Sequence, residues 1–314
     1  MDRDYGTARE AIAEAWSAMA RRDFATALQH WQRIMERFPE NPSGYAGAGA
    51  ALREAGQLDK SEEVLAQAAL RFPSSSEIAT NHGWIANTRR DWSEAVQRWE
   101  SVRARFPESH SGYAGAGAAL RELGQFEEAE AVLAGGMERL PYSVDIAVTH
   151  AGIANIRRDW AEAARRWEAV RLQFPKSPSA YTGGAAALKA LGRLDEADIL
   201  LAEGVKQCPE RSEIAVEHAR SAHQRERWAE AAQRWALVRE RFPDNVAARS
   251  GLEEASRQLQ NLRSRPAIAP EDKFPSNLDG GGQRRKGASA GTPNRRLTGS
   301  ERAVLVETGL RPQK

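Results

Sequence analysis

Prolines stand at 39, 73, 107, 141, 175, 209 and 243, and every step between them is 34 residues. A fixed internal period of this length leaves few folds open. A short recurring unit cannot bury its own apolar face, so it must stack on its neighbours to share a core. The period has a second level. Trp31, Trp99, Trp167 and Trp235 are spaced by 68, as are Phe24, Trp92, Trp160 and Trp228. Tyr45, Tyr113 and Tyr181 follow the same step, and so do Gly56, Gly124 and Gly192. Alternate 34-residue units therefore form a 68-residue superunit. Residues 91–107, 159–175 and 227–243 read DWSEAVQRWESVRARFP, DWAEAARRWEAVRLQFP and RWAEAAQRWALVRERFP. Each carries two tryptophans seven apart, hence on one helix face. Each ends at the repeat proline, which cannot donate to a continuing helical ladder.

Every unit reads as two helices. In the fifth, 144–156 is an Ala-rich helical run, RRD breaks it, and 160–173 is again helical. Asp91 and Asp159 precede second helices, where a side-chain oxygen can cap free N–H groups, and Glu94 and Glu162 follow three residues later as in a capping box. Thr7 with Glu10 and Ser74 with Glu77 give the same signal before first helices. Gly56, Gly124 and Gly192 are placed to end first helices at positive φ. The first helices at 43–52 and 111–120 are both SGYAGAGAAL, nearly all small. Small residues predict close approach of backbone to the indoles of the second helices. Burying one such ring removes about 150–250 Å² from water, against roughly 1 kcal/mol of helix propensity lost per glycine.

The pattern resembles the tetratricopeptide repeat. In the unit 110–143 the likeness is carried by Tyr113, Gly117, Leu120, Phe126, Ala129, Leu133, Gly136 and Pro141. It extends over 8–245 as units 8–41, 42–75, 76–109, 110–143, 144–177, 178–211 and 212–245. Alanine replaces the first aromatic at 79, 147 and 215, and the first unit is degenerate, as expected of a terminal cap. The resemblance implies an all-α, right-handed solenoid of seven helical pairs. The increasingly polar run 246–264 reads as a capping helix on the last pair. Residues 265–314 are rich in Pro, Gly and Ser and hold ten Lys/Arg against five Asp/Glu. They are expected to form a disordered basic tail.

Composition excludes several function classes. Lys+Arg number 45 and Asp+Glu 43, a balance that does not point to nucleic acid or an anionic membrane. Cys208 is the single cysteine, so no intrachain disulfide forms, which fits a reducing compartment. The start, MDRDYGTARE, lacks the apolar segment of a secretory signal, and no stretch approaches the roughly 18–20 apolar residues of a membrane span; a cytoplasmic location is expected. GYAGAGA at 44–50 and 112–118 lacks the preceding strand and the GK[ST] ending of a phosphate loop. His82, His150 and His218 lie two repeats apart, too far to share a metal ion, and read as helix–helix contacts. Nothing around Cys208 marks a nucleophile. No acid–base, metal or nucleophilic constellation emerges, so neither catalysis nor a cofactor is expected.

The resemblance also implies that first helices line a concave side that takes a peptide or a partner's helix. Carried over position by position, that face holds Trp16, Arg53, Asn81, Trp84, Asn87, Arg121, Asn155, Lys189, Arg220 and His223. Seven of the nine tryptophans fall at core positions of the superunit; Trp16 and Trp84 do not, since Gly152 and Arg220 stand at the matching places. The family's carboxylate-binding Lys and Asn are missing from the first two units, where Ile12, Trp16 and Gly47 stand, so recognition of an acidic peptide C-terminus is not expected. The function read from the sequence is a non-enzymatic scaffold for a protein or peptide partner. A looser likeness, to repeats beside bacterial glycosyltransferase and sulfotransferase domains, implies as the alternative an accessory of polysaccharide or cell-surface glycan synthesis.

Overall fold

A computed structural model of the chain describes residues 7–264; the stretch 265–314, expected to be a disordered tail, lies outside the described residues. Among the described residues there are fifteen α-helices and no strand. First helices of successive pairs are α1 (Ala8–Ala20), α3 (Pro42–Glu54), α5 (Ser76–Arg89), α7 (His110–Glu122), α9 (Val144–Ile156), α11 (Pro178–Ala190) and α13 (Ser212–Gln224). Second helices are α2 (Phe24–Arg37), α4 (Leu58–Arg71), α6 (Trp92–Arg105), α8 (Phe126–Arg139), α10 (Trp160–Gln173), α12 (Leu194–Gln207) and α14 (Trp228–Arg241), and α15 (Val246–Ser264) follows. The architecture is an all-α superhelical solenoid.

Local chemistry sets the helix ends. Thr7 and Glu10 form a complete capping box on α1. Asp91 and Asp159 accept from the amides of Glu94 and Glu162, but the glutamates do not return the bond; their carboxylates go instead to Arg98 and Arg166. The cap of α5 is Ser75 rather than Ser74, because the helix starts one residue later. Glu77 then accepts from the Ser43 hydroxyl of the preceding unit, at 2.9 Å. Gly56, Gly124 and Gly192 take φ of +75° after first helices. Thirty-four residues away from each, Arg22, Arg90, Arg158 and Glu226 adopt the same left-handed turn with φ between 54° and 60°, although a Cβ makes that conformation costly.

One register builds the core. An added Cβ on Gly47, Gly115, Gly183 or Gly251 would lie 2.3–2.4 Å from an atom of Trp31, Trp99, Trp167 or Trp235, respectively. Each indole thus lies flat on the backbone of the next first helix, sixteen residues on, where only hydrogen fits. In alternate units Leu65 and Leu133 use Gly49 and Gly117 of their own pair in the same way. Neighbouring first helices pack closely all along the array, whereas neighbouring second helices stand further apart and reach each other through long side chains. The solenoid therefore curves with its first helices on the inside, and α15 packs on α13 and α14.

Candidate functional site

The solvent face of the first helices is the inner surface. One row along it, in 34-residue steps, is Trp16, Ala50, Trp84, Ala118, Gly152, Ala186 and Arg220. Trp84 is 36% exposed and Trp16 46% exposed. Both stand edge-on to a buried core indole: Trp84 to Trp99 with centroids 5.2 Å apart and planes at 77°, Trp16 to Trp31 at 5.3 Å and 80°. Such pairs add about 0.5–1.5 kcal/mol beyond burial and fix the outer ring in one orientation. At Gly152 a Cβ would meet nothing within 4 Å, so the row has an open notch two repeats past Trp84. No packing neighbour requires that glycine.

One helical turn on, the row is Met19, Arg53, Asn87, Arg121, Asn155, Lys189 and His223. Its members divide into two kinds. Asn87 and Asn155 accept the indole N–H of Trp99 and Trp167 at 2.7 and 3.0 Å. Their carbonyl oxygens therefore belong to the core, and the Asn155 amide nitrogen also donates to the Gly183 carbonyl of the next repeat at 3.4 Å. Arg53 and Arg121 lie along the rim, each bonded to the next residue, Glu54 or Glu122. Lys189 reaches Glu217 at 3.4 Å, and Arg220 binds the same carboxylate. Asn81 donates to the Glu77 carbonyl one turn back. His223 turns its ring edge to Trp228, 5.0 Å away. Trp84, Asn81, Asn87 and Thr88 make one continuous patch on α5, whereas Arg220 and His223 form a polar patch four repeats away on α13.

Three ion clusters occupy the other side of the first helices. Glu62 of α4 accepts from His82 of α5 at 2.5 Å and from Arg98 of α6 at 2.7 Å; Arg98 also holds Glu94 and the His82 carbonyl. Glu130, His150, Arg166 and Glu162 repeat the arrangement. Asp198, His218, Arg234 and Glu230 make the third version. Each joins a second helix to both helices of the next pair. Burial alone would raise the Glu62 and Glu130 carboxyls, but bonds from the arginine and histidine hold both below the usual range. Burial, with the Arg166 or Arg234 charge beside it, lowers His150 and takes His218 down to about 4. The arginines, satisfied by carboxylates and a backbone carbonyl, make each cluster a clasp between repeats. The sequence shows the three histidines; the matching 68-residue steps of Glu62, Glu130 and Asp198 and of Arg98, Arg166 and Arg234 were the available signal for the rest. Among the described residues, no three His, Cys, Asp or Glu side chains are placed to hold a metal ion.

Tetratricopeptide-repeat family profiles match residues 18–82 and 80–143, and the same helical pair continues through α14. The chain carries tetratricopeptide repeats over the matched stretch. Its solved structural neighbours include a tetratricopeptide repeat protein from Parabacteroides merdae, at 15% identity and TM-score 0.55, covering 79% of this chain and 98% of that one. Yeast Tom70 aligns at 13% identity and TM-score 0.58, over 84% of this chain and 67% of its own. PilF of Pseudomonas aeruginosa aligns at 16% identity and TM-score 0.50, over 69% and 98%. At these identities the likeness is one of fold. No curated protein matches the chain, and the glycan-synthesis association stays a likeness of repeat style. No described helix is long and apolar enough to cross a membrane.

Proposed function

We propose that the protein is a non-enzymatic scaffold that binds a partner protein along its inner face, centred on Trp84. The observation that carries this reading is the pair of indoles at 16 and 84. The repeat core does not require them, since Gly152 and Arg220 serve at the matching positions. Each is nonetheless held in a fixed orientation by a buried indole beneath it. A rigid, half-exposed aromatic costs little ordering entropy on binding, and with Asn81 and Asn87 beside it on α5 gives an apolar centre with a polar rim, the anatomy of a binding hot spot. Ala118 and the notch at Gly152 leave space for side chains of an extended segment or a helix laid along the groove. The titratable clusters support no competing catalytic reading, because their members neutralise one another.

The test is capture by cross-linking of the partner from lysate, followed by calorimetric titration of that partner against the wild type, Trp84→Ala and the outer-face variant Leu172→Ala. Binding lost in Trp84→Ala and kept in Leu172→Ala is the expected result. The reverse pattern would move the site to the outer face.

A further inference from the structure

The seven repeats serve as controls for one another, and the sixth departs from the rest at two places that meet in space. The residue before the repeat proline is Phe38, Phe72, Phe106, Leu140, Phe174, Cys208 and Phe242 in chain order. In six units this large side chain packs against the hydrophobic cluster of its repeat. At 208 a thiol takes that place, beside Tyr181, Leu201 and Ile214. Next to it opens a cavity of about 630 Å³ between α12, α13 and α14, walled by Val205, Ala215, Leu237, Val238 and Phe242. Its size is that of a small-molecule site. Burial pushes the Cys208 thiol up, so it is part of the wall and not a nucleophile.

The second departure lies on the floor. Where the other two clasps have Glu62 and Glu130, this one has Asp198. The aspartate is one carbon shorter and is spent on Arg234. Consequently His218 Nε2 stands 3.9 Å from Asp198, against 2.5 and 3.1 Å for His82 and His150 in their clasps. The nitrogen is buried, has no hydrogen-bond partner, and belongs to a residue lining the cavity. The mouth carries Lys206, Arg211 and Arg241 against Glu240. Arg241 has Glu210 at 3.7 Å, while Lys206 and Arg211 make no ion pair among the described residues.

We infer that this cavity is a binding site for a small amphipathic carboxylate. An aromatic or short alkyl body fills the space that a phenylalanine closes in other repeats. The carboxylate meets Lys206 and Arg211, and the ligand body lies against the His218 side chain in the wall. The site lies on the second-helix side and is independent of the inner-face reading.

The experiment uses the full-length protein, with 4-phenylbutyrate as probe and 4-phenylbutanol as its neutral counterpart. Imidazole nitrogen NMR follows the three equivalent histidines at once. Saturable perturbation of His218, with His82 and His150 unmoved, is expected. Cys208→Phe should raise the melting temperature and weaken the probe at least tenfold; Cys208→Leu, which copies position 140, gives the same reading if the phenylalanine proves too large to fold. Lys206→Gln combined with Arg211→Gln should weaken phenylbutyrate several-fold and leave phenylbutanol unchanged. Equal shifts at all three histidines, or affinity indifferent to the Cys208 variants, would overturn the site. Equal affinity for the alcohol would overturn the carboxylate assignment. Saturation by an acidic phenylalanine-bearing peptide, but not by phenylbutyrate, would overturn the small-molecule ligand in favour of a partner's side chain.

Discussion

Trp99 and Trp235 fill the same place in two superunits and both are buried, yet their indole N–H groups fare differently. Trp99 donates to Asn87, and Trp167 does the same with Asn155. At the two ends of the array the matching residues are Met19 and His223, and the N–H groups of Trp31 and Trp235 have no partner. The steric half of the motif, a glycine sixteen residues beyond the ring, is present in all four cases. The polar half is present only in the middle two. Shape complementarity therefore runs the whole length of the solenoid, while hydrogen-bond satisfaction is set locally. The central repeats are the better-satisfied part of the core, and they are also the part beneath Trp84.

The largest expected break of this comparison is Trp99→Ala. Such a truncation costs about 3–5 kcal/mol, and it also leaves the Asn87 oxygen unpaired. Trp235→Ala should fall at the low end of that range, since no hydrogen bond is lost. Urea unfolding of both variants checks the order. Next is Gly115→Ala, which drives a methyl into the Trp99 ring and should cost about 1–3 kcal/mol. Its control, Gly152→Ala, meets open space and should stabilise by up to about 1 kcal/mol.

The clasps give a comparison in pH. The His150 and His218 imidazoles are depressed below 6.5, His218 to about 4. The unfolded chain therefore binds more protons than the folded one between these values. Stability is complete above pH 6.5 and falls as pH drops toward 4. His218 faces Asp198 on α12 and Arg234 and Glu230 on α14. His218→Gln should flatten the decline by about 1–3 kcal/mol over that window, and more than His150→Gln does. Thermal melts at half-unit pH steps would show it. A smaller effect, about 1 kcal/mol, is expected from His223→Asn, which offers Trp235 the partner that Trp99 already has. The smallest is Arg90→Gly, a gain of a few tenths to 1 kcal/mol from relief of the left-handed turn. No gain there would mean that the arginine stem compensates by packing.

The helical pairs were legible in the sequence because the proline step and the tryptophan–glycine spacing are both covalent distances. The residues that cap and break helices are local too, but at 74–75 two serines adjoin and either could start the turn, and Glu94 and Glu162 complete no capping box because Arg98 and Arg166 take their carboxylates. Less visible was which inner-row polar residues the core would claim. Asn87 and Asn155 were assigned to the binding face, but the indoles that take their oxygens lie twelve residues on, in another helix. The clasps escaped for the same reason, as their members are 20 and 36 residues apart. The left-handed turns at Arg22, Arg90, Arg158 and Glu226 carry no residue signal at all, because none is a glycine. Trp16 and Trp84 could be singled out because they are exceptions to a periodic pattern.

The central claim is that Trp84 serves a partner and not the fold, although it touches Trp99. Paired melting and binding measurements on Trp84→Ala and Trp99→Ala test it most directly. Trp84→Ala forfeits one edge-on aromatic contact and should lose about 1 kcal/mol of stability, well short of the Trp99→Ala loss, while weakening partner binding by about 2 kcal/mol or more. A Trp84→Ala protein that melts as early as Trp99→Ala, or that melts normally and binds its partner with undiminished affinity, would contradict the account.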